Sequence, residues 1–236
     1  MLKLVAYNRS QPLRMVDLAE LAGLDRSTAH RLLQRLVSEG MLVRNEKGSG
    51  YRLGPLLYEL GLGVFPENNL RQIAHPALLQ LAQETGDMAF LIGRSGFETV
   101  CLDRVAGNFA IQTLVGGVGD RHPMGVGAGG PAILSVLNDN DRDVVYRAVA
   151  PQLARYGLSV DILKDRVARV CERGYALDDG VTVKDVTVLA RPIVNSFGTP
   201  VGAVFIASIK SRMTSERRSE VDKQLALCVA QISAAS

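Results

Sequence analysis

The chain is poor in residues that carry nucleophilic, redox or metal chemistry, with three histidines and three cysteines among 236 residues. Cys101, Cys171 and Cys228 are odd in number and widely spaced, which argues against a disulfide framework and matches no zinc-ligand motif. They read as core thiols, and neither a metal nor a cofactor is implied. His30, His75 and His122 have no Ser, Cys or carboxylate at a recognised catalytic spacing, so an enzyme is not expected. His122 reads as a loop residue rather than a base or ligand. Asp178 and Asp179 are adjacent in what reads as extended chain, where they would point to opposite faces and make a poor acid/base pair. No apolar run reaches the ~18 residues needed to span a bilayer. The N-terminus also has no signal-peptide hydrophobic segment, and the chain is expected to be cytoplasmic. There is no internal repeat and no low-complexity tract.

What is present concentrates between residues 15 and 53. Val16, Leu18, Ala19, Leu21 and Ala22 give a short helix an apolar side, and Gly23 can take the left-handed conformation that ends it. Asp25 then caps a second helix, whose apolar positions Ala29, Leu32, Leu33, Leu36 and Val37 follow the spacing of one buried face. Its other side holds Arg26, Ser27, Thr28, His30, Arg31, Gln34 and Arg35, and the run from Arg26 to Gln34 contains no acid. Ser27 and Thr28 in the first turn suit phosphate oxygens, and Arg31 is long enough for a base edge or a phosphate. Gly40 closes the helix, and two short strand candidates, 41–44 and 51–53, flank a turn-rich tip. Arg44, Lys47 and Arg52 make that hairpin basic, as in a wing that tracks a nucleic-acid backbone. A basic helix alone reads more simply as a solvated surface. With the Gly turn before it and the basic hairpin after it, the pattern is a winged helix-turn-helix for DNA, against the alternative of a protein-interaction module. Arg14-Met15 stands where a capping Ser, Thr or Asp is expected, which predicts a modest stability loss. Leu2, Leu4 and Val5 already belong to a helical apolar side, so residues are expected to be missing from the start.

The charge divides unevenly along the chain. Residues 1–65 hold nine Lys or Arg against six Asp or Glu, whereas 66–236 hold 18 of each, so the whole net charge of +3 sits in the first part. The 47% hydrophobic content allows two domains with cores of their own. The predicted boundary lies near Gly61, Gly63, Pro66 and Asn68-Asn69. An amphipathic helix follows through Leu70, Ile73, Ala74, Ala77, Leu78, Leu81 and Ala82, with Pro76 as a kink or restart. Strands are expected at 88–93, 99–105, 110–115, 186–195 and 201–209, and helices at 132–137, 141–148, 162–174 and 215–233. Strands in blocks with helices between them argue for an α+β domain with a mostly antiparallel sheet.

Within that domain, Gly125, Gly127 and Gly130 match G-x-G-x-x-G, yet no strand precedes them, Pro131 follows, and no Lys-Ser/Thr completes a P-loop. The surviving reading is a turn with accessible N–H groups and a helix start near Pro131, where a small carboxylate could sit. The competing reading is a tight turn in which glycine serves backbone geometry alone.

Several segments occur in a characteristic order across nearly the whole chain. They are Leu18-Ala19, the run 27–33, Gly40, Tyr51-Arg52-Leu53-Gly54, the run 122–134, Arg173-Gly174-Tyr175 with Asp178, Ala190-Arg191-Pro192-Ile193 and the run 198–203. Together they resemble the IclR family of bacterial transcriptional regulators. The resemblance implies an α+β protein with a winged helix-turn-helix DNA-binding domain at 1–65, a dimerising linker helix at 66–86 and a GAF-like effector-binding domain at 87–236. It further implies a homodimer, often paired into a tetramer, on a palindromic double-stranded DNA operator near genes for uptake or breakdown of small organic acids, with no membrane partner. Carried over by residue, it places Met124, Ala128, Gly129 and Asp178 at the effector site. Val188, Phe205 and Ala207 replace a Cys and two Ser/Thr that hydrogen-bond a small carboxylate in many members. Without those donors a small polar acid would be buried with unpaired oxygens, so the expected effector has a larger apolar or aromatic body and one carboxylate on the loop N–H groups. The alternative is a small-molecule sensor or enzyme whose degenerate helix-turn-helix reads no DNA.

Overall fold

A computed structural model describes residues 1–8, 11–45, 50–62, 70–109 and 116–236. Lys47 with the rest of the hairpin tip, most of the expected junction, and the strand expected at 110–115 lie outside the described residues. The chain divides into two units, Met1–Glu67 and Asn68–Ser236.

The first unit runs α1 (Leu2–Tyr7), α2 (Met15–Ala22), α3 (Arg26–Ser38), β1 (Leu42–Arg44), β2 (Tyr51–Leu53) and α4 (Leu56–Leu62). Val5, Leu18, Leu33, Leu42 and Tyr51 form its core. Gly23 ends α2 at φ 63°, donating to the Ala19 and Glu20 carbonyls. The loss expected at the start of α2 is offset, because the Asp17 carboxylate reaches back to accept from the Arg14 backbone N–H at 3.0 Å and pairs with its guanidinium. Asp25 caps α3 by accepting from the Thr28 N–H at 2.9 Å. The apolar faces are narrower than predicted. α3 buries Ala29 and Leu33 but leaves Leu32 40% exposed, and in α2 Val16 and Leu21 face solvent while Leu18 and Ala19 are buried. Leu32 is turned by about 100° from Leu33, which carries it to the edge of the buried stripe. β1 and β2 pair antiparallel with Val43 opposite Arg52 and Arg44 opposite Tyr51. The hairpin is closed tightly onto the end of α3 at Gly54, whose N–H donates to the Met41 carbonyl at 2.8 Å.

The second unit is built on one antiparallel sheet in the order β5-β4-β3-β8-β7-β6. Its strands are β3 (Met88–Ser95), β4 (Glu98–Val105), β5 (Arg121–Pro123), β6 (Ala176–Asp179), β7 (Val186–Val194) and β8 (Pro200–Ile209). Its helices are α5 (Leu70–Thr85), α6 (Gly129–Ser135), α7 (Asp139–Leu153), α8 (Val160–Arg173) and α9 (Ser215–Ala235). Alternate residues of each strand serve two cores. Ala89, Leu91, Leu189, Ile193, Val204 and Ile206 pack with α5 and α9, whereas Phe90, Ile92, Ala190, Ala203 and Ala207 pack with α6, α7 and α8. Coverage on both faces explains the uninterrupted apolar run at the start of β3, where 88–92 are all buried. Pro76 lies inside an unbroken α5. Between Leu91 and Ile92 the partner residue on β4 jumps from Asp103 to Cys101, leaving Leu102 as a bulge. In consequence Cys101 joins the core beneath α6, while Asp103 Oδ2 accepts from His75 Nδ1 of α5 at 2.6 Å.

Candidate functional site

The face of the sheet beneath α6 carries a cavity of about 90 Å³. Strand register builds its floor. Phe90 lies opposite Phe205, and their rings stack with centroids 4.6 Å apart; Val188 and Asp178 are opposite one another on the next row, and Ile92 pairs with Cys101. One wall is the turn Val126 to Gly129, where Gly127 adopts φ 71° and a Cβ on Gly129 would lie 2.2 Å from Ile92 Cδ1. Glycine therefore serves backbone shape at one position and close packing at the other. The opposite wall is Thr182, Val183 and Val186, and the edge is Thr99, Gly116, Asp120 and His122.

Of the effector residues expected from sequence, Ala128, Gly129, Asp178, Val188 and Phe205 line this cavity. Met124 and Ala207 do not. Met124 is fully buried under the turn, where its backbone lies against Gly130, and Ala207 sits between Met88 and Val188 in the packed row of the sheet. Asp178 and Asp179 do face opposite sides: Asp178 meets the cavity, and Asp179 accepts from Thr187 and from Arg218 of α9.

Asp178 is 2% exposed and its oxygens are occupied. Oδ1 accepts from the N–H groups of Val181 and Thr182, and Oδ2 accepts from the Thr182 hydroxyl and Arg166 Nη2. The same Arg166 nitrogen donates to the Gly127 carbonyl at 2.8 Å, so one guanidinium ties two walls of the cavity together. Sequence reasoning missed Arg166. The available signal was its place in the stripe Leu163, Arg166, Val167, Val170, an arginine at a buried position of an amphipathic helix. His122, read from sequence as a loop residue, lies in β5 and lines the cavity, and its Nδ1 is buried with no hydrogen-bond partner among the described residues. Burial holds its imidazole below the ordinary pKa, against the opposing pull of Asp120. Burial also pushes the Cys101 thiol up to about 12, which keeps this part of the wall uncharged.

The first unit presents the basic face anticipated on α3. Arg26, Ser27, His30, Arg31, Gln34 and Arg35 are exposed, Thr28 is half-buried, and Ser27, Arg31 and Gln34 fall within roughly 60° of helix face. Two details alter the expected phosphate contacts. The Ser27 hydroxyl donates to Asp25 Oδ1 at 2.6 Å, and the Thr28 N–H goes to the same oxygen, so the first turn presents a carboxylate. Those bonds hold the Asp25 carboxyl well below the usual range, so the stability its cap contributes is present above that range and is lost as the pH falls below it. Arg35 pairs with Glu39 at 2.7 Å. On the hairpin, Arg44 and Arg52 are both exposed but belong to opposite faces of the two-residue alternation. Arg26 and Arg31 are exposed and have no ion pair among the described residues.

No helix among the described residues is long and apolar enough to cross a membrane. Comparison with known proteins identifies both units. The model of the bacterial transcriptional regulator IclR C-terminal domain matches residues 63–234, and that of the IclR helix-turn-helix domain matches 6–46. The chain is 28% identical over 218 residues to the HTH-type transcriptional regulator XynR of Escherichia coli, covering 90% of this chain and 85% of that protein. It is 27% identical over 217 residues to the transcriptional repressor IclR of the same organism, covering 87% and 76%. Among solved structures, an IclR regulator from Alicyclobacillus acidocaldarius superposes with a TM-score of 0.79 at 22% identity, covering 99% and 94% of the two chains. An IclR homolog from Microbacterium hydrocarbonoxydans, complexed with 4-hydroxybenzoate, gives 0.72 at 22% identity, covering 98% and 94%. With a matching family model over each unit, this chain is a member of the IclR family of bacterial transcriptional regulators.

Proposed function

We propose that this regulator is ligand-responsive, binding a palindromic operator as a homodimer or a pair of dimers and taking a small organic effector into the cavity beneath α6. The observation that carries the effector reading is the floor. Phe90, Ile92, Val188 and Phe205 offer apolar surface where a small, fully polar acid would leave its oxygens unpaired. An effector with a single aromatic ring matches the stacked phenylalanines, and its one carboxylate would meet the N–H groups of the turn at Gly127 to Gly129. The 4-hydroxybenzoate held by the Microbacterium homolog supports a ring of that size in this fold. The genes under control would then serve uptake or breakdown of such a compound. Calorimetry against benzoate and glyoxylate tests the effector class: benzoate is expected to bind, and tight binding of glyoxylate alone would overturn it.

DNA reading is assigned to the exposed face of α3, supported by the hairpin. A gel shift with the promoters of the regulator's own and adjacent genes is the direct test. Arg31→Ala is expected to weaken retention of the bound fragment by about 1–3 kcal/mol, roughly 5- to 150-fold, without changing the thermal melt. Parental affinity in that variant would move the reading surface elsewhere.

A further inference from the structure

We propose that the edge of the cavity formed by Asp120, His122 and Thr99 is a subsite for a hydrogen-bond donor on the effector, a hydroxyl or amino group carried by the ring, and that it rejects a second carboxylate there. This rests on the cavity being the effector site.

The argument begins with charge. Two carboxylates line the cavity, Asp120 and Asp178; among the described residues no lysine or arginine lines it, and Arg104 of β4 reaches only the Gly116 carbonyl at its edge. Asp178 is neutralised by Arg166 and fully hydrogen-bonded, so it is part of the frame. Asp120 differs. Its Oδ2 accepts from the Gly117 N–H at 2.6 Å, and among the described residues it has no ion pair and no donor on Oδ1. Its neighbours at the edge add acceptors. The Thr99 hydroxyl spends its proton on the His122 carbonyl at 3.4 Å, which leaves its oxygen lone pairs available. A neutral imidazole contributes one acceptor nitrogen and one donor, so the three side chains together present more acceptors than donors. Pairing of strands puts them there: Thr99 of β4 lies opposite His122 of β5, and the Cys101 N–H bonds the Asp120 carbonyl at 2.8 Å.

A ring with a hydroxyl or amino group at that edge gives Asp120 a donor, forming a charge-assisted hydrogen bond in a largely apolar cavity. An unsubstituted ring leaves Asp120 buried beneath the ligand with one oxygen stripped of water. A second carboxylate meets a like charge on Asp120, while the exposed Arg104 guanidinium near that edge already donates to the Gly116 carbonyl at 3.0 Å.

Calorimetry on the full chain would compare benzoate, 3- and 4-hydroxybenzoate, 3- and 4-aminobenzoate, and the 1,3- and 1,4-benzenedicarboxylates. At least one hydroxy or amino compound is expected to bind roughly 10- to 100-fold more tightly than benzoate, and both dicarboxylates more weakly than benzoate. The hydroxy and amino arms then distinguish which donor the edge prefers. Asp120→Asn keeps an acceptor for Gly117. It is expected to reduce the donor advantage about tenfold and to admit a dicarboxylate. Thr99→Val serves as a second variant and should erode the same advantage. Equal binding of benzoate and all four donor compounds, or an Asp120→Asn profile identical to the parent, would overturn the donor subsite while leaving the effector cavity intact. Failure of the entire panel to bind would remove the effector reading and this subsite with it.

Discussion

Asp178→Ala is expected to destabilise the second unit by about 3–5 kcal/mol, seen as a lower urea midpoint. The carboxylate is almost wholly buried, and its four donors come from two directions: a turn after β6 through Val181 and Thr182, and α8 through Arg166. Removing it strands a guanidinium that is 13% exposed and whose Nη1 already has no partner among the described residues. An uncompensated buried charge is more costly than the pair it came from. Combining Asp178→Leu with Arg166→Met should therefore be less harmful than Asp178→Leu alone, because the stranded charge goes with its partner. The turn N–H groups would still lack their acceptor, so recovery will be partial. A parental midpoint in Asp178→Ala would show that the pair carries none of the stability assigned to it.

Gly54→Ala is expected to cost the first unit about 3 kcal/mol or more and to abolish operator retention. A Cβ at this buried position would lie 2.0 Å from the Gly40 carbonyl oxygen and within 2.9 Å of the Gly40 and Met41 carbonyl carbons. All three are backbone atoms, so no rotamer change relieves the overlap. Relief requires the end of β2 to separate from the segment joining α3 to β1, which also breaks the Gly54 to Met41 hydrogen bond. Amide hydrogen exchange along α3, together with a gel shift, reads both effects. Parental protection in α3 with parental operator affinity would show that the two segments tolerate separation.

The long elements were legible because their periods are unambiguous. β3, β7 and β8 are rich in β-branched and apolar residues, and α8 and α9 place small sets of apolar residues at helical spacing. β5 was not legible, being three residues that end in a proline and include a histidine. That one omission hid the edge of the cavity. Thr99, Asp120 and His122 are separated in sequence, and only the β4–β5 pairing gathers them. Arg166 was hidden for a different reason, since a charge on an amphipathic helix is ordinarily assigned to solvent. Met124 and Ala207, which the family pattern places at the site, are buried and lie outside the lining of this cavity. On α3 the basic face was plain, whereas the diversion of the Ser27 hydroxyl to Asp25 depends on a cap geometry that composition does not specify.

Strict alternation would send Cys101 and Asp103 to the same side of the sheet. The extra residue at Leu102 puts β4 out of step with itself, so one strand touches the cavity through Cys101 and, two residues later, holds the imidazole of His75 on the far side. Any shift of β4 along its own axis is thus shared between a wall that a ligand would press and the acceptor to which α5 is fastened. One strand thus serves both faces of the sheet with no side chain passing through it.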